Sequence, residues 1–476
     1  MLRTRVVVAF VLVASAGQVH AKRGQNGNPA WAASWATSPS TYFIYTAPPD
    51  PLNVSSFPIA AGSIQYRAAN IQPDLAFPFP NATSAAGASA VDQTFRSIVK
   101  PDLWGKTIRI RFSNLYGNTP VTFDRVTVGL QEYAANIVKG TLEPVTFGGR
   151  RSVTIAPGKR VFSDAVHLPW VSNADDPAVQ GRNLAVSYSV DGDSGRMTHH
   201  PGANQTSFVS PQGSGDHSAD LDGFDFPFTT TSWFYVETVD VLAPADTVVV
   251  CAFGDSITDG THTTLNLNDR WMNVLSRRLH GAYGSRISIV NEAIGGNRVV
   301  NPVALNANGD APGGAGPAAV DRLDQDVLGL SGLTHVIWLE GINDLGGLHS
   351  TASIISGYQD VVARLHAAGV EVYAGTLTSA LGVYGTTFPT ADNGPAAEAG
   401  RQVLNGYIRQ PGNFDGVEDF DGATLDGATG NMKAVYLPNS QFTQLPWDYL
   451  HPNHAGYNAM GTVVDIAPFA PEHRGR

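Results

Sequence analysis

The chain is poor in several things, and each shortage excludes something. A single cysteine, Cys251, stands among 476 residues, so no internal disulfide can form and stability has to come from packed cores. Only 15% of the residues are charged and the formal net charge is -11. That balance excludes a basic footprint for nucleic acid and argues against docking on anionic lipid. The apolar run near the N-terminus is too short to span a bilayer, and no later stretch is longer. No internal repeat of fixed period is present either.

Turn-forming residues are abundant: 50 glycines and 30 prolines, which points to many loops rather than long helices. The 43% hydrophobic fraction is globular, and 476 residues exceed one ordinary core, so two domains are expected. Residues 1–21 read as a secretory signal: Arg3 and Arg5 precede the apolar core Val6–Ala14, and a small-x-small site ends at Ala21. The expectation is therefore a soluble, secreted protein, with residues 22–30 as a flexible lead. Sequons at Asn53, Asn81 and Asn204 permit glycosylation without requiring it.

From residue 31 to 243 the pattern is β-rich. Thr107–Phe112 alternates apolar and polar residues, as a half-buried strand does. Val121–Leu130, Leu184–Val190 and Ser232–Leu242 carry similar β-branched and aromatic enrichment, separated by turn clusters. Repeated short strands of this kind predict a β-sandwich or jelly-roll-like domain. The pattern changes at Leu242–Asp246, so residues 244–476 form the second expected domain. There strands (Thr247–Phe253, Ile287–Ala293, Thr334–Glu340, Val370–Leu377, Phe414–Phe420) alternate with helices (Arg270–His280, Ala318–Leu330, Thr351–Ala368, Ala396–Arg409, and one from Asn453). Such alternation predicts a parallel sheet with helices on both faces.

Ser256 falls where the apolar run Val248–Gly254 gives way to Asp255-Ser256-Ile257-Thr258-Asp259-Gly260. That is the carboxyl end of a buried strand, where open α/β sheets hold ligands. A serine nucleophile needs a base, a group to orient the base, and donors for the oxyanion; read alone, Ser256 could equally cap a helix. Its rival is Ser194, in Gly192-Asp-Ser-Gly195, a string found in chymotrypsin-like proteases. Only His20 and His167 precede Ser194, neither in a recognisable setting, and Asp191–Gly195 reads better as a β-turn. No Gly-x-Ser-x-Gly string occurs, which argues against a nucleophile elbow.

Polar blocks follow other strand ends too. The paired glycines of Ile294-Gly-Gly-Asn297 leave a backbone N–H accessible, as an oxyanion donor must be. In Glu340-Gly-Ile-Asn-Asp344, Asn343 can offer a side-chain amide or simply cap a helix. Asp448-Tyr-Leu-His451 sets a carboxylate three residues before a histidine, with His454 as a competing, first-turn histidine. Cys251 reads as a small buried hydrophobe. His199-His200 and Asp415–Asp426 lack metal-ligand spacing and read as surface loops, so neither metal nor cofactor is expected.

Taken in order, these blocks resemble the SGNH hydrolase family, also called GDSL esterases and lipases. The resemblance rests on Gly254–Gly260, Gly296 within Asn291–Asn297, Gly341–Asp344 and Asp448–His451. It implies a three-layer α/β/α, flavodoxin-like catalytic domain, with Ser256 as nucleophile, His451 as general base and Asp448 orienting it. The N–H groups of Ser256 and Gly296 and the side chain of Asn343 would form the oxyanion hole. Gly296 is preferred to Gly295 because it falls where related sequences keep a single glycine before a polar residue. Trp35–Pro39 and Ile110–Gly117 resemble a β-rich domain in a secreted subgroup found near enzymes acting on plant polysaccharides, xylan among them.

The expectation is a secreted serine ester hydrolase acting on small-molecule or polysaccharide esters, acetylated carbohydrate first. A lipase or broad acyl hydrolase is the nearer alternative, and a non-catalytic carbohydrate-binding protein the more distant one. No nucleic-acid or membrane partner is expected, and the sequence leaves the oligomeric state open. Tyr384, in the loop Thr378–Pro395, and Trp447 are candidate substrate contacts, although aromatics there serve equally to pack a loop. Asn297–Gly316 is a second candidate rim.

Overall fold

The computed structural model describes residues 28–41, 89–300, 315–381, 393–438 and 448–471. The expected signal segment 1–21 lies outside these residues, as do Asn53, Asn81 and most of the two candidate rim loops. No helix among the described residues is long and apolar enough to cross a membrane.

The first half is antiparallel. One sheet runs Ala30–Ala36, Val236–Ala243, Thr107–Ser113, Arg160–Phe162, with Val166–His167 also on Thr107–Ser113. A second runs Phe228–Thr230, Ser207–Val209, Ser89–Val99, Leu184–Arg196, Val121–Leu130, Glu143–Val145. Alternation in Thr107–Ser113 sends Ile108, Ile110 and Phe112 inward. Phe112 meets Phe123 and Tyr188 of the second sheet at ring-centroid distances of 5.3 and 5.5 Å. These offset and edge contacts between the sheets make an aromatic core, and the sandwich expected from the strand pattern follows.

Two sequence expectations fail here. Asp191–Gly195 is no turn between strands, because the strand Leu184–Arg196 runs through it with register shifts around Asp193. Gly192 and Gly195, at φ 69° and 62°, supply the backbone freedom that lets a bulge form while pairing continues. Ser194 is buried there, its hydroxyl accepting from Ala90 N–H (2.9 Å) and donating to the Gly195 carbonyl (2.9 Å). His199 and His200 are not in a surface loop. Both are buried in the strand Thr198–His200, which pairs with Trp233–Phe234 and Ser40–Thr41.

Beyond the turn at Pro244–Thr247 the sheet is parallel, in the order Ile287–Ala293, Val248–Gly254, Leu333–Leu339, Glu371–Gly375, Gly416–Glu418. Every residue of Val248–Gly254 is buried, as an inner strand covered on both faces must be. Helices Trp271–Tyr283, Thr351–Ala367, Asn393–Ile408 and His454–Val463 fall close to their expected ranges. The helix expected over Ala318–Leu330 differs: Ala319–Arg322 passes into a π-helical turn, Leu323–Val327, which keeps Arg322 buried. Asp415–Asp426 also departs from a plain loop. Asp419 follows the short strand Gly416–Glu418 and caps helix Phe420–Thr424, its carboxylate accepting from Gly422 N–H.

The two halves are bonded together. Ala33 N–H donates to the Ser331 carbonyl (2.8 Å) and the Ser288 hydroxyl to the Ala33 carbonyl (2.8 Å). Asp102 accepts from Ile289 N–H (2.8 Å) and lies 3.0 Å from His280 Nε2.

Candidate active site

The inner strand ends where there is room for nothing but glycine. A Cβ on Gly254 would sit 2.3 Å from the Leu339 carbonyl oxygen of the neighbouring strand. Asp255 follows in extended conformation and caps a short helix, Ser256–Asp259, by accepting from Ile257 N–H (3.0 Å). Ser256 thus stands at the start of that turn, 6% exposed, and its own N–H has no acceptor among the described residues. Gly260 closes the turn in left-handed conformation at φ 100°.

The segment Asp448–His451 folds back on itself for a local reason. One carboxylate oxygen of Asp448 accepts from the N–H groups of Leu450 (2.8 Å) and His451 (3.0 Å), an Asx-type turn. The other oxygen lies 2.8 Å from His451 Nδ1, and His451 Nε2 lies 2.7 Å from the Ser256 hydroxyl. A carboxylate only accepts, so Nδ1 carries the proton and Nε2 is left to accept from serine. Asn453 then caps helix His454–Val463, accepting from Ala455 and Gly456 N–H. His454 is the exposed first residue of that helix.

A residue that sequence reasoning missed joins this line. His262 Nε2 lies 2.6 Å from the same Asp448 oxygen that faces His451, with the two imidazoles 5.5 Å apart and nearly perpendicular. His262 sits in left-handed backbone at φ 68°, in the loop just after the serine turn. Its only sequence signal is a histidine six residues after Ser256, which cannot be told from any loop histidine. Burial opposes the charge on Asp448, but His451 and His262 outweigh it and hold the carboxyl well below its usual range. His451 is likewise opposed by burial, and Asp448 raises it above the ordinary histidine value. Burial pushes Asp255 up to about 7.

The glycine block lies beside the serine. Ile294 N–H donates to the Gly254 carbonyl (3.1 Å), and Asn297 N–H to the Ile294 carbonyl (3.1 Å). Between them Gly295 N–H is taken by Asp259 Oδ2 at 3.1 Å. Gly296, at φ 77°, keeps an N–H with no acceptor among the described residues. Of the two glycines, then, only Gly296 has a donor to spare. Asn343 donates from Nδ2 to the Asn297 carbonyl (2.9 Å), which fixes its amide against the same turn. Behind them the buried Arg322 donates to the Gly254 carbonyl (3.0 Å), the Glu292 carbonyl (2.8 Å) and Asn297 Oδ1 (2.8 Å).

Ser256, His451, Asp448, Gly296 and Asn343 are therefore gathered at the carboxyl ends of the parallel strands. Ser194 belongs to the other half, and Tyr384 and Trp447 lie outside the described residues. Cys251 is a buried free thiol inside the strand, its ionisation pushed well up by burial. Two groups among the described residues approach closely enough to share an ion: His262, Asp448 and His451, and His217, Asp220 and Asp225. In the first, both rings spend a nitrogen on hydrogen bonds to one carboxylate oxygen, so the hydrogen atoms occupy the direction a metal would need. The second is bonded similarly, with His217 Nδ1 2.8 Å from Asp220 Oδ2.

Residues 252–459 match the model of the GDSL-like lipase/acylhydrolase family. No curated protein matches the chain. Among solved structures it is similar to a member of the lipolytic G-D-S-L family from Veillonella parvula (17% identity, 45% of this chain and 95% of that one covered, TM-score 0.31). It is also similar to a GDSL-like lipase from Bacteroides thetaiotaomicron (14% identity, 46% and 85% covered, TM-score 0.32). A carbohydrate acetylesterase from Sinorhizobium meliloti is a third such structure (15% identity, 45% and 94% covered, TM-score 0.31). The match over residues 252–459 identifies that segment as a GDSL-like lipase/acylhydrolase domain, the domain of a carboxylic ester hydrolase.

Proposed function

We propose that the chain cleaves esters through an acyl intermediate on Ser256 and does so outside the cell, on acetylated carbohydrate. The observation that carries the mechanism is the bonded line Ser256 Oγ–His451 Nε2 (2.7 Å) and His451 Nδ1–Asp448 Oδ2 (2.8 Å). As Ser256 Oγ attacks the ester carbonyl carbon, His451 Nε2 takes its proton. Asp448 stabilises the resulting imidazolium and keeps the ring turned the right way. The carbonyl oxygen, now an oxyanion, is held by the N–H groups of Ser256 and Gly296 and by the Asn343 amide. Collapse expels the alcohol, which receives the proton from His451. Water, deprotonated by the same histidine, then attacks the acyl-serine, and the acid leaves.

Export is supported by the basic, apolar and small-x-small pattern of residues 1–21. The carbohydrate reading rests on the likeness of Trp35–Pro39 and Ile110–Gly117 to the β-rich part of secreted esterases found beside polysaccharide-degrading enzymes. Acetate release from acetylated xylan, set against p-nitrophenyl esters of rising chain length, tests it. Preference for long acyl chains without acetate release would replace it with the lipase reading. Ser256→Ala abolishes hydrolysis on every substrate and Ser194→Ala leaves it; the opposite pattern would sink the mechanism.

A further inference from the structure

The β-rich half reaches the serine turn through a histidine. His200 is buried and lies against Trp233, ring centroids 5.6 Å apart and 29° from parallel. Its Nδ1 is 2.9 Å from the Ser38 carbonyl, and its Nε2 is 3.1 Å from Oδ1 of Asp259. Asp259 closes the short helix that Ser256 opens, and its other oxygen accepts from Gly295 N–H (3.1 Å). Arg270 crosses the same junction, donating to the Asp259 carbonyl from Nε and to the Ala203 carbonyl (2.7 Å). The fit is close, since a Cβ on Gly202 would lie 2.3 Å from Asp259 Oδ2.

Two adjacent glycines have the softest backbone a chain can offer. The Gly295–Gly296 peptide, which carries the Gly296 N–H, would turn freely unless held from both sides. On one side it is held by Asn297, whose N–H is tied to Ile294 and whose carbonyl takes the Asn343 amide. On the other it is held by the Asp259 carboxylate on Gly295 N–H. A donor aimed where an oxyanion will form helps only if it is in place beforehand, and a displacement on the order of 1 Å is enough to cost rate.

We propose that His200 and Asp259 are positioning residues for ester hydrolysis: the β-rich half sets the carboxylate that aims the Gly296 N–H. This rests on the reading of Ser256 as nucleophile and Gly296 as oxyanion donor. It gives the antiparallel half a part in the reaction that neither substrate binding nor fold stability alone would require.

The test uses the full chain and four variants: His200→Leu, His200→Gln, Asp259→Ala and Ser256→Ala. Two readouts are taken, kcat and KM on p-nitrophenyl acetate and the inhibition constant of an aryl trifluoromethyl ketone. Ser256 Oγ adds to the ketone carbon, its proton passes to His451, and the ketone oxygen becomes an oxyanion in the same hole. His200→Leu and Asp259→Ala, which removes the acceptor for Gly295 N–H, lower kcat roughly 10- to 100-fold, less than full loss of a donor, with KM within about twofold. Ketone inhibition weakens by the same factor. His200→Gln, which keeps an N–H for Asp259, stays within about fivefold of wild type on both measures. Unchanged kcat and ketone affinity in Asp259→Ala overturn the proposal, as does equal impairment of the Gln and Leu variants. Should His200→Leu fail to fold, Asp259→Ala and His200→Gln decide by the same criteria. Full activity in Ser256→Ala would instead defeat the underlying mechanism. Loss there, with the other variants unaffected, defeats this inference alone.

Discussion

Asp448→Asn isolates what the carboxylate does, because its four hydrogen bonds leave an amide no good orientation. One oxygen accepts from two backbone N–H groups, of Leu450 and His451, which cannot change their nature. The other faces His451 Nδ1 and His262 Nε2. If the NH₂ of the introduced amide turned to the backbone side it would confront two fixed donors, each buried pairing lost costing roughly 1–3 kcal/mol. It therefore turns to the imidazole side. There His451 must present a bare Nδ1 and carry its proton on Nε2, the atom that should receive the serine proton. The fold survives, and the proposed base is in the wrong tautomer. A carboxylate-to-amide change of this kind costs on the order of 10⁴ in kcat, which at 1.36 kcal/mol per decade is about 5 kcal/mol of transition-state stabilisation. Steady-state hydrolysis of p-nitrophenyl acetate measures it, and labelling of Ser256 by a fluorophosphonate should slow in parallel. Circular dichroism and a melting curve establish that the variant is folded. A folded Asp448→Asn with kcat within about tenfold of wild type would refute the tautomer argument.

Other consequences are more briefly put. In the proposed mechanism Asn343→Ala removes one oxyanion donor and should lower kcat by about 10²–10³ while leaving KM little changed; a change confined to KM would show the amide holding substrate instead. Because Asp448 raises His451 above the ordinary 6.5, kcat/KM should rise with pH through a midpoint above that value. His262→Leu leaves the Asp448 charge to His451 alone and should move that limb to still higher pH. His262→Gln should restore it, and a limb that stays put in both variants removes His262 from the electrostatics, the groups bearing on His451 being Asp448, Asp255 and His262. Burial pushes Glu340 up to about 8 from 4.5, so the folded chain keeps a proton that the unfolded chain releases. Stability therefore falls as pH rises between those values. Glu340→Gln, whose carbonyl can still accept from Trp338 Nε1, should gain on wild type by a few kcal/mol between about pH 5 and pH 8; equal melting temperatures at both ends would contradict the buried, neutral carboxyl.

How much of this the sequence reveals depends on whether a feature is local. The strand Val248–Gly254, the serine after it and the pair Asp448–His451 are contiguous patterns, and periodicity with short spacing is enough to find them. The Asx turn that fixes Asp448 is itself local, which is why a carboxylate three residues from a histidine is a usable signal. Asn343 and Gly296 need the resemblance, since an asparagine or glycine after a strand has commoner uses. His262 is invisible because its partner lies 186 positions away. The apparent turn at Gly192–Gly195 misleads for a related reason. Glycine and aspartate signal a turn wherever they cluster, yet the pairing of Leu184–Arg196 with Ser89–Val99 turns the same freedom into a bulge. Tertiary pairing overrides local preference there.

Burial of His200 and Arg322 follows from the same non-local logic, and it explains why polar residues gather behind the strand ends at all. A parallel sheet presents its last carbonyls and the next turns' amides to one side, and these groups must be satisfied away from water. Arg322 does this with one guanidinium, bonding the Gly254 and Glu292 carbonyls, Asn297 Oδ1, the Ser38 hydroxyl and Asp326 while lying 4.3 Å from the Phe253 ring centroid. Its partners come from strand ends on either side of the serine turn and from Ser38 of the β-rich half. Removing such a charge would strand Asp326, whose acid burial already pushes upward, and leave the Gly254 and Glu292 carbonyls without their donor, so the cluster holds only as a set. A serine poised on a mobile turn could not keep a 2.7 Å contact with a histidine 195 positions distant. The buried polar layer, drawn from both halves of the chain, is what makes that turn stiff enough to do so.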